Sequence, residues 1–190
     1  MSKRPRVGII VYGSVLNPAD LRDLFHTLSG RTRPVTVSGF ERVFNQEASW
    51  RETGGQHRAV LNVKQNPDRW FNGVLITDVT RDEFSQYRER ERGYRLVEVE
   101  QDEVEPYDPE SIAAETIDTT DAEEIRSQEL LLTTVGEKQN EDILPIHDYV
   151  EICLNGADSW GERFREDFLS TTRVTTGVTL SEYVDEEFRN

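Results

Sequence analysis

The stretch VGIIVYGSVLNPADLRDLF, residues 7–25, decides the first unit of the fold. It opens on a near-continuous apolar run that ends at Gly13, and such runs are typical of strands buried on both faces. Asn17 is a favourable helix N-cap, and Pro18 suits the first helical position. The sequence therefore predicts a strand, a short loop and a helix that continues to Gly30, a residue suited to the position just beyond a helix end.

Further strand signals follow this unit. They are PVTVSGFERVFN, RAVLNVKQ, WFNGVLITDV and YRLVEVE, with QELLLTTV later in the chain. The tripeptide Asn66–Asp68, NPD, separates the second of these from the third and predicts a turn. Because short turns favour mixed or antiparallel sheets, we predict an α+β fold, a small mixed β-barrel or curled sheet flanked by helices.

The C-terminal part of the sequence has helical periodicity. PIHDYVEICLNG predicts a helix that ends at Gly156. In the following SWGERFREDFL, Ser159 and Glu162 are spaced as a capping box. Residues 171–190 are ambiguous between a closing strand and a loose tail. Since the sequence has no repeat and no linker, we expect one domain over residues 1–190.

The formal net charge of −15 limits the partners that the protein can have. Because most of such a surface repels a phosphate backbone, we expect no nucleic-acid partner and no membrane partner. The apolar run near the N-terminus is too short for a signal sequence or a membrane span. The one cysteine, Cys153, excludes an internal disulfide and suits a reducing compartment, so we expect a cytoplasmic protein.

Residues 98–129 form an acidic excursion, with thirteen Asp and Glu residues against one base, Arg126. The segment lacks the alternating oxygen ligands around a central glycine that a calcium loop requires, so we interpret it as solvated surface. Lysine is scarce, since only Lys3, Lys64 and Lys138 occur among 22 basic residues. An acid-rich, lysine-poor surface suits a protein kept soluble in high salt, although an acidic protein from a GC-rich genome has a similar composition.

A helix of about three turns is predicted over residues 81–92. Thr80 and Glu83, in the stretch DVTRDEFSQ, are spaced as a capping box at its start, and Gly93 supplies the stop. The later turns of this helix carry the charged stretch YRERERGYRLVEV, which contains two glutamates of interest.

The two glutamates face different sides of the helix. Glu91 shares the apolar face of Phe84 and Tyr87, whereas Glu89 lies about 200° away among arginines. A carboxyl that points inward at a helix C-terminus has a raised pKa, and such a group can both take and give a proton. The alternative is a helix-end residue that reaches solvent or pairs with an arginine, and the periodicity alone leaves both open.

Four blocks of the sequence occur in a defined order: VYGSVL, FNGVLITDV, YRERERGYRLVEV and DYVEICLNGADSWGERFREDFL. This order resembles the gamma-glutamylcyclotransferase-like family, whose members have a Tyr-Gly-Ser-x-Leu loop, a Gly-Val strand and a helix that ends in a glutamate shortly before Gly-Tyr. The resemblance covers most of the chain apart from the acidic excursion and the extreme tail. It implies a small mixed barrel with helices, and cyclisation of a γ-glutamyl compound to 5-oxoproline with release of an amine or amino acid.

The resemblance also implies roles for individual residues. Glu91 carries over as the general base and then the general acid. The substrate-binding residues carried over are Tyr12, Gly13, Ser14, Val15, Leu16 and Tyr94. The implied enzyme is a transferase or lyase of the kind found in glutathione metabolism, and it requires no metal and no other cofactor. The substrate stays open among glutathione, γ-glutamylcysteine, γ-glutamyl amino acids and γ-glutamylamines, and so does the oligomeric state.

Two details of the resemblance bear on the shape of the site. Tyr149 matches a tyrosine of the family's C-terminal helix, and we interpret it mainly as a core residue. Tyr94 is open between contact with the site and packing within its strand. The segment ELLLTT contains no tyrosine where some family members have one, which leaves the leaving-group side of the site undefined.

Other functions have little support in the sequence. The three histidines, His26, His57 and His147, are scattered, and no Gly-x-Ser-x-Gly elbow or nucleotide-binding glycine pattern occurs. The alternative from another class is a non-catalytic protein of the same fold that acts as a ligand-binding or interaction module. Retention of the YGS loop together with an inward Glu91 favours the enzyme.

The acidic composition yields a prediction about salt. If the surface is adapted to high salt, the protein should unfold at low ionic strength and refold in molar salt, because ions screen the repulsion among its carboxylates. Circular dichroism across a salt titration measures this. Stability that is unchanged over the whole range would reject the hypothesis.

Overall fold

The computed structural model describes residues 5–48, 58–107 and 122–187, which form a sheet and helices. The strands are β1 (Val7–Val11), β2 (Thr32–Glu47), β3 (Arg58–Ile76), β4 (Tyr94–Glu98), β5 (Val104–Pro106), β6 (Leu130–Gly136), β7 (Leu144–Pro145) and β8 (Thr172–Val174). The α-helices are α1 (Pro18–Leu24), α2 (Arg81–Arg90), α3 (Ala122–Arg126), α4 (His147–Asp158), α5 (Glu162–Thr171) and α6 (Leu180–Glu187), with 3-10 turns at Ser14–Leu16 and Gln101–Glu103. The predicted α+β class is confirmed.

The strands of the described residues form one mixed sheet with the order β4-β6-β1-β3-β2-β5. Strand β1 is antiparallel to β3 and parallel to β6, while β7 and β8 add short parallel pairings to β3 and β2. The mixed sheet agrees with the prediction. Within the described residues the order has two ends, at β4 and β5, so the hydrogen-bonded ladder does not close into a barrel.

Contacts outside this ladder nevertheless join β2 and β3 to the end of β6. The amide of Gly136, the last residue of β6, donates to Oδ1 of Asn62 in β3 at 2.6 Å. Gln46 of β2 forms an isolated bridge with Gln139 just beyond β6. These contacts bring the far half of the β2–β3 ribbon against the carboxyl end of β6, and β4 lies beside it.

The predicted turn at Asn66–Asp68 is a bulge in one long strand. Strand β3 runs through the tripeptide, and the register passes from Ser38↔Trp70 to Phe40↔Gln65, so four residues of β3 lie opposite Gly39 alone. The turn chemistry is present locally, since Oδ1 of Asn66 accepts from the amide of Asp68. Strand β3 continues past the bulge because Gly39 of β2, opposite it, adopts a φ of 80° and accommodates the change of register.

Helix α1 begins where the sequence predicts and ends earlier. Asn17 is its N-cap, with its side chain accepting a backbone N–H, and Pro18 is the first helical residue. The helix ends at Leu24 instead of near Gly30, because Phe25 turns into an extended conformation while its side chain is fully buried.

The C-terminal helices differ from the prediction at two points. Helix α4 continues through Gly156, which packs so closely on the Ser14–Leu16 turn that an added Cβ would lie 3.1 Å from the nearest side chain. Ser159 does not form the expected capping box, since Gly161 is the N-cap of α5. The ambiguous tail, residues 171–190, contributes β8 and α6 in its described part. Residues 108–121 of the acidic excursion lie outside the described residues.

The C-terminal helices are joined to the loop that follows β1. Trp160, between α4 and α5, is buried, and its indole N–H donates to the carbonyl of Leu16 at 2.8 Å. Phe164 and Phe168 of α5 are fully buried. The buried apolar side chains form one continuous cluster that extends from β1 to α6. None of the helices in the described part of the chain has the length and apolar character needed to cross a bilayer.

A buried arginine connects the sheet to these helices. Arg42 of β2 is 0% exposed, and its guanidinium carbon lies 3.8 Å from the centre of the Phe168 ring. It donates to Oγ1 of Thr172 at 2.7 Å, and to both the carbonyl and the Oδ1 of Asn72 at 2.7 and 2.8 Å. It also donates to the carbonyl of Tyr12 at 3.4 Å. These acceptors are neutral, and a buried cation is tolerated only when its donors are satisfied in this way.

Arg42→Gln should lower the free energy of unfolding by about 3–5 kcal/mol, because it leaves several buried acceptors without a donor. Chemical denaturation measures this change. Arg165→Gln is the matched control, since Arg165 pairs with Asp158 at 2.9 Å on the surface and should cost less than about 1 kcal/mol. Equal small losses in the two variants would contradict the structural role assigned to Arg42.

Candidate active site

One cavity of about 290 Å³ collects most of the residues predicted for the site. It lies where the carboxyl end of β1 meets the end of α2 and the strands β4 and β6. Its lining comprises Tyr12, Gly13, Ser14, Val15, Glu91 and Tyr94, together with Val11, Leu61, Tyr87, Arg90, Thr134 and Tyr149. The fold therefore brings six of the seven predicted site residues together, and Leu16 is the exception.

The loop after β1 forms one wall of the cavity. Its 3-10 turn is closed by a hydrogen bond from the amide of Leu16 to the carbonyl of Gly13 at 3.0 Å. The amides of Ser14 and Val15 precede this bond and so have no acceptor inside the turn. An anion in the cavity is a suitable acceptor for such groups.

The structure places Leu16 outside the cavity lining, and its predicted contact with a substrate stays a prediction. Its side chain is fully buried, its amide is used inside the turn, and its carbonyl accepts from Trp160. These three contacts direct Leu16 into the core, where it fixes the loop from behind.

Helix α2 presents Glu91 to the cavity from its C-terminal end. The capping box predicted at the start of the helix is formed, since Thr80 and Glu83 exchange bonds between side chain and backbone at 3.3 and 2.8 Å. Glu91 is the C-cap, and its amide donates to the carbonyl of Tyr87 at 2.9 Å. Because the helix begins where the sequence predicts, the helical period places Glu91 on the cavity side and Glu89 on the solvent side.

The environment of Glu91 raises the pKa of its carboxyl toward neutral pH. Burial raises the pKa of the Glu91 carboxyl from its ordinary value of 4.5 to about 7. The positive charge of Arg90 and a hydrogen bond from the Thr134 hydroxyl lower this pKa and partly offset the effect of burial. A carboxyl that is half ionised near pH 7 can act as a base in one step and as an acid in the next.

The neighbouring charges lie toward solvent. Glu89 pairs with Arg92 at 2.8 Å, and both side chains are more than two-thirds exposed, at 72% and 78%. Arg90 lines the rim of the cavity and pairs with Asp20 of α1 at 3.2 Å. The alternative considered for Glu91, a surface residue paired with an arginine, therefore describes Glu89.

Four tyrosines surround the carboxyl of Glu91. They are Tyr12, Tyr87, Tyr94 and Tyr149, and all are buried. Burial is the largest cause that raises the pKa of each phenol, so the hydroxyls stay protonated and can donate hydrogen bonds. The Tyr12 hydroxyl donates to the carbonyl of Thr134 at 2.8 Å, and the Tyr94 hydroxyl donates to the carbonyl of Leu61 at 2.6 Å.

The cavity contains residues to which the sequence analysis assigned no role in the site. Tyr87 shares the helix face of Glu91, so its spacing already carried the signal. Tyr149, interpreted mainly as a core residue, is both buried and part of the lining, and an added Cβ on Gly13 would lie 3.3 Å from its hydroxyl. Thr134 stands in the strand where the tyrosine of some family members is lacking, and nothing in its local sequence distinguishes it from Thr133.

Metal ligands are not gathered in the part of the chain that the structure describes. Within residues 5–48, 58–107 and 122–187, no three His, Cys, Asp or Glu side chains lie close enough together to hold a metal ion. Of the acidic and basic groups, the cavity lining contains Glu91 and Arg90.

Comparison with solved structures identifies the fold. A structure described as a gamma-glutamyl cyclotransferase has a TM-score of 0.58 and 15% identity, covering 97% of this chain and 99% of its own. YkqA from Bacillus subtilis has a TM-score of 0.58 and 17% identity, covering 86% of this chain, which in turn spans 52% of YkqA. The uncharacterized protein loc79017 from Homo sapiens has a TM-score of 0.57 and 14% identity, covering 98% and 100%.

These likenesses show that the chain has the gamma-glutamyl cyclotransferase-like fold, as the resemblance of its motifs predicted. The chain spans about half the length of YkqA. No protein-family model and no curated protein matches the sequence.

The raised pKa of Glu91 predicts how Glu91→Gln changes stability with pH. Because the pKa is about 7 in the folded state and near 4.5 when unfolded, the contribution of this group to stability is present below about pH 4.5 and is lost as pH rises through about 7. The neutral amide of the variant does not titrate, so its contribution to stability does not change with pH. The stability of Glu91→Gln relative to wild type should therefore rise by about 3 kcal/mol between pH 4.5 and pH 8.

Denaturant unfolding at several pH values measures this difference. Glu89→Gln removes an exposed carboxylate of the same helix and should change the free energy of unfolding by less than about 0.5 kcal/mol at each pH. A flat difference between wild type and Glu91→Gln would contradict the burial of the Glu91 carboxyl.

Proposed function

We propose that the protein is a gamma-glutamylcyclotransferase-type enzyme that converts a γ-glutamyl compound into 5-oxoproline and a free amine or amino acid. In this reaction the α-amine of the substrate attacks its own γ-carbonyl carbon. A carbon–nitrogen bond forms within the new ring, and the carbon–nitrogen bond to the leaving group breaks. The attacking nitrogen starts as an ammonium and loses two protons, and the departing nitrogen gains two and leaves as an ammonium, so the reaction consumes no water and no cofactor.

The observation that carries this proposal is the Glu91 carboxyl, which has a pKa of about 7 and faces the loop of Gly13, Ser14 and Val15 across one small cavity. The α-ammonium of a peptide has a pKa of about 8, so at neutral pH it is mostly protonated and cannot attack. A base with a pKa only slightly lower accepts that proton at little cost. The same group, once protonated, is acidic enough to protonate the leaving nitrogen.

The loop supplies the second requirement of the reaction, which is the folded shape of the substrate. Attack within one molecule needs the amine and the γ-carbonyl held together more than it needs strong activation. The amides of Ser14 and Val15 are suited to hold the substrate carboxylate or the oxyanion that develops on the γ-carbonyl. The hydroxyl of the buried Tyr149 lies close to Gly13 and supports this wall.

The size of the cavity bears on the choice of substrate. A volume of about 290 Å³ is at the lower end of the range for small-molecule sites, about 300–1,000 Å³. It suits the glutamyl half of a substrate, with the leaving group at the rim near Arg90. This favours a small leaving group over the dipeptide released from glutathione.

A panel of γ-glutamyl compounds tests the proposal. The purified protein is incubated with a γ-glutamyl amino acid, γ-glutamylcysteine, glutathione and a γ-glutamylamine, in low and in molar salt, and 5-oxoproline is measured. Glu91→Gln should reduce turnover by about 10²–10⁴-fold, since it removes the group that transfers the proton. Glu89→Gln should stay within about twofold of wild type, because its side chain is exposed.

Two outcomes would contradict the proposal. Equal losses in Glu91→Gln and Glu89→Gln would show that the inward position of Glu91 has no catalytic meaning. A folded protein that turns over no compound of the panel would favour the ligand-binding or interaction module instead.

A further inference from the structure

The solvent side of the cavity is formed by a basic side chain. Arg90, the last residue of α2, is exposed, whereas Ser14 and Glu91 are half-buried and every other described residue of the lining is buried. The aliphatic residues of the lining are among the buried ones. A group that extends from the cavity toward solvent therefore passes the guanidinium of Arg90 and meets no exposed aliphatic side chain of this lining.

Arg90 has hydrogen-bond donors available for a ligand. Among the described residues, its guanidinium donates one hydrogen bond, from Nη2 to Oδ2 of Asp20 in α1 at 3.2 Å. The two side chains are 37% and 34% exposed, and Asp20 does not line the cavity. Because a guanidinium has five N–H donors in a planar fork, the pair with Asp20 leaves donors that a second carboxylate can accept.

The charges of the site favour an anionic group beside Arg90. Arg90 is the cation of the described lining, and Glu91 is its acid. The chain has a formal net charge of −15, so most of its surface repels a carboxylate that approaches. Arginine binds carboxylates through charge-assisted and often bidentate hydrogen bonds. Arg90 therefore provides a place at the cavity where the carboxylate of a ligand is stabilised.

The position of Arg90 next to Glu91 relates it to the leaving group. To protonate the departing nitrogen, the Glu91 carboxyl must come within about 2.6–3.2 Å of it. In a γ-glutamyl amino acid, a single carbon separates that nitrogen from a carboxylate. Because the glutamyl half occupies most of a cavity of about 290 Å³, this second carboxylate lies on the open side, where Arg90 stands.

We propose that Arg90 is a specificity-determining residue whose guanidinium binds the carboxylate of the leaving group. The inference rests on the proposed function and deepens it by naming the substrate class. The preferred substrates carry a carboxylate on the carbon next to the departing nitrogen. A γ-glutamylamine lacks this group, and glutathione has a neutral peptide carbonyl in its place. Arg90 neither gains nor loses a proton, and the bonds that form and break are those of the cyclisation.

The other polar groups of the lining are placed for different contacts. The Tyr12 hydroxyl donates to the carbonyl of Thr134, and the Tyr94 hydroxyl donates to the carbonyl of Leu61. The amides of the loop after β1 belong to the wall that faces Glu91 and are suited to the glutamyl half. Within the described lining, Arg90 is thus the group that combines a positive charge with a position on the solvent side.

Two substrates that differ in the charge of the leaving group test the proposal. γ-Glutamylalanine and γ-glutamylalaninamide have nearly the same shape, but the second has a neutral carboxamide where the first has the carboxylate. Wild type should prefer the first. Arg90→Gln should lower the ratio of the two kcat/KM values by about tenfold, because it removes a charge-assisted hydrogen bond. Arg90→Lys keeps the charge and loses the planar fork, so it should give an intermediate ratio.

The ratio excludes the influence that Arg90 has on Glu91. Burial raises the pKa of the Glu91 carboxyl, and the charge of Arg90 opposes this effect. Loss of Arg90 therefore changes the ionisation of Glu91 and the rate with every substrate. Because this change is common to the two compounds at a given pH, it cancels in the ratio of their kcat/KM values.

Arg92→Gln is the matched control. It removes the same charge close to the same helix end, but the Arg92 side chain is 78% exposed and pairs with Glu89. The ratio in this variant should stay within about twofold of wild type. An unchanged ratio in Arg90→Gln, or an equal fall in Arg92→Gln, would overturn the proposal. An unchanged ratio is also expected if Arg90 binds the carboxylate of the glutamyl half, since the two compounds share it.

Binding to protein that carries Glu91→Gln separates this inference from the proposed function, because the compounds stay intact without the group that transfers the proton. In calorimetry, γ-glutamylalanine should bind about tenfold more tightly than γ-glutamylalaninamide, and addition of Arg90→Gln should remove this preference. Equal binding of the two compounds, or binding of neither, overturns the role of Arg90. A preference that depends on Arg90, in a protein whose wild type turns over neither compound, supports that role and rejects the enzyme.

Discussion

The arrangement of this fold depends on one buried cation. Among the described residues the guanidinium of Arg42 has no carboxylate partner, and burial lowers its pKa to about 9. Its donors are satisfied by neutral oxygens from β3, from the end of β1 and from the junction of α5 and β8. Because a charge without such partners would be strongly destabilising in the core, these three parts of the chain must stay in register for the molecule to fold.

The hydrogen bonds of Arg42 also affect the loop that lines the cavity. The carbonyl of Tyr12 points toward Arg42, and in a planar trans peptide the amide of Gly13 then points to the opposite side. Farther along the loop, the carbonyl of Leu16 accepts a hydrogen bond from the indole N–H of Trp160. These contacts with the core hold the loop in place from behind. The loop therefore keeps its shape without a ligand, and its cavity side stays available to bind one.

The sequence predicted the features that depend on local chemistry. The capping box of Thr80 and Glu83 set the phase of α2, and the helical period then separated Glu91 from Glu89. It could not predict features that depend on a distant strand. Asn66–Asp68 carries all the signals of a turn, and only Gly39 on the partner strand makes it a bulge. Thr134 is one of two adjacent threonines, and only the pairing of β6 with its neighbours decides which one faces the carboxyl.

The balance at Glu91 follows from opposing contributions, of which burial is the largest. Burial and the C-terminal position in α2 favour the neutral carboxyl, while Arg90 and Thr134 favour the ion. A deeper carboxyl without these partners would stay protonated and could not act as a base, and an exposed one would stay ionised and could not act as an acid. The helix end contributes to both sides of this balance, because Glu91 lines the cavity while Arg90, the residue before it, pairs with Asp20 at the surface.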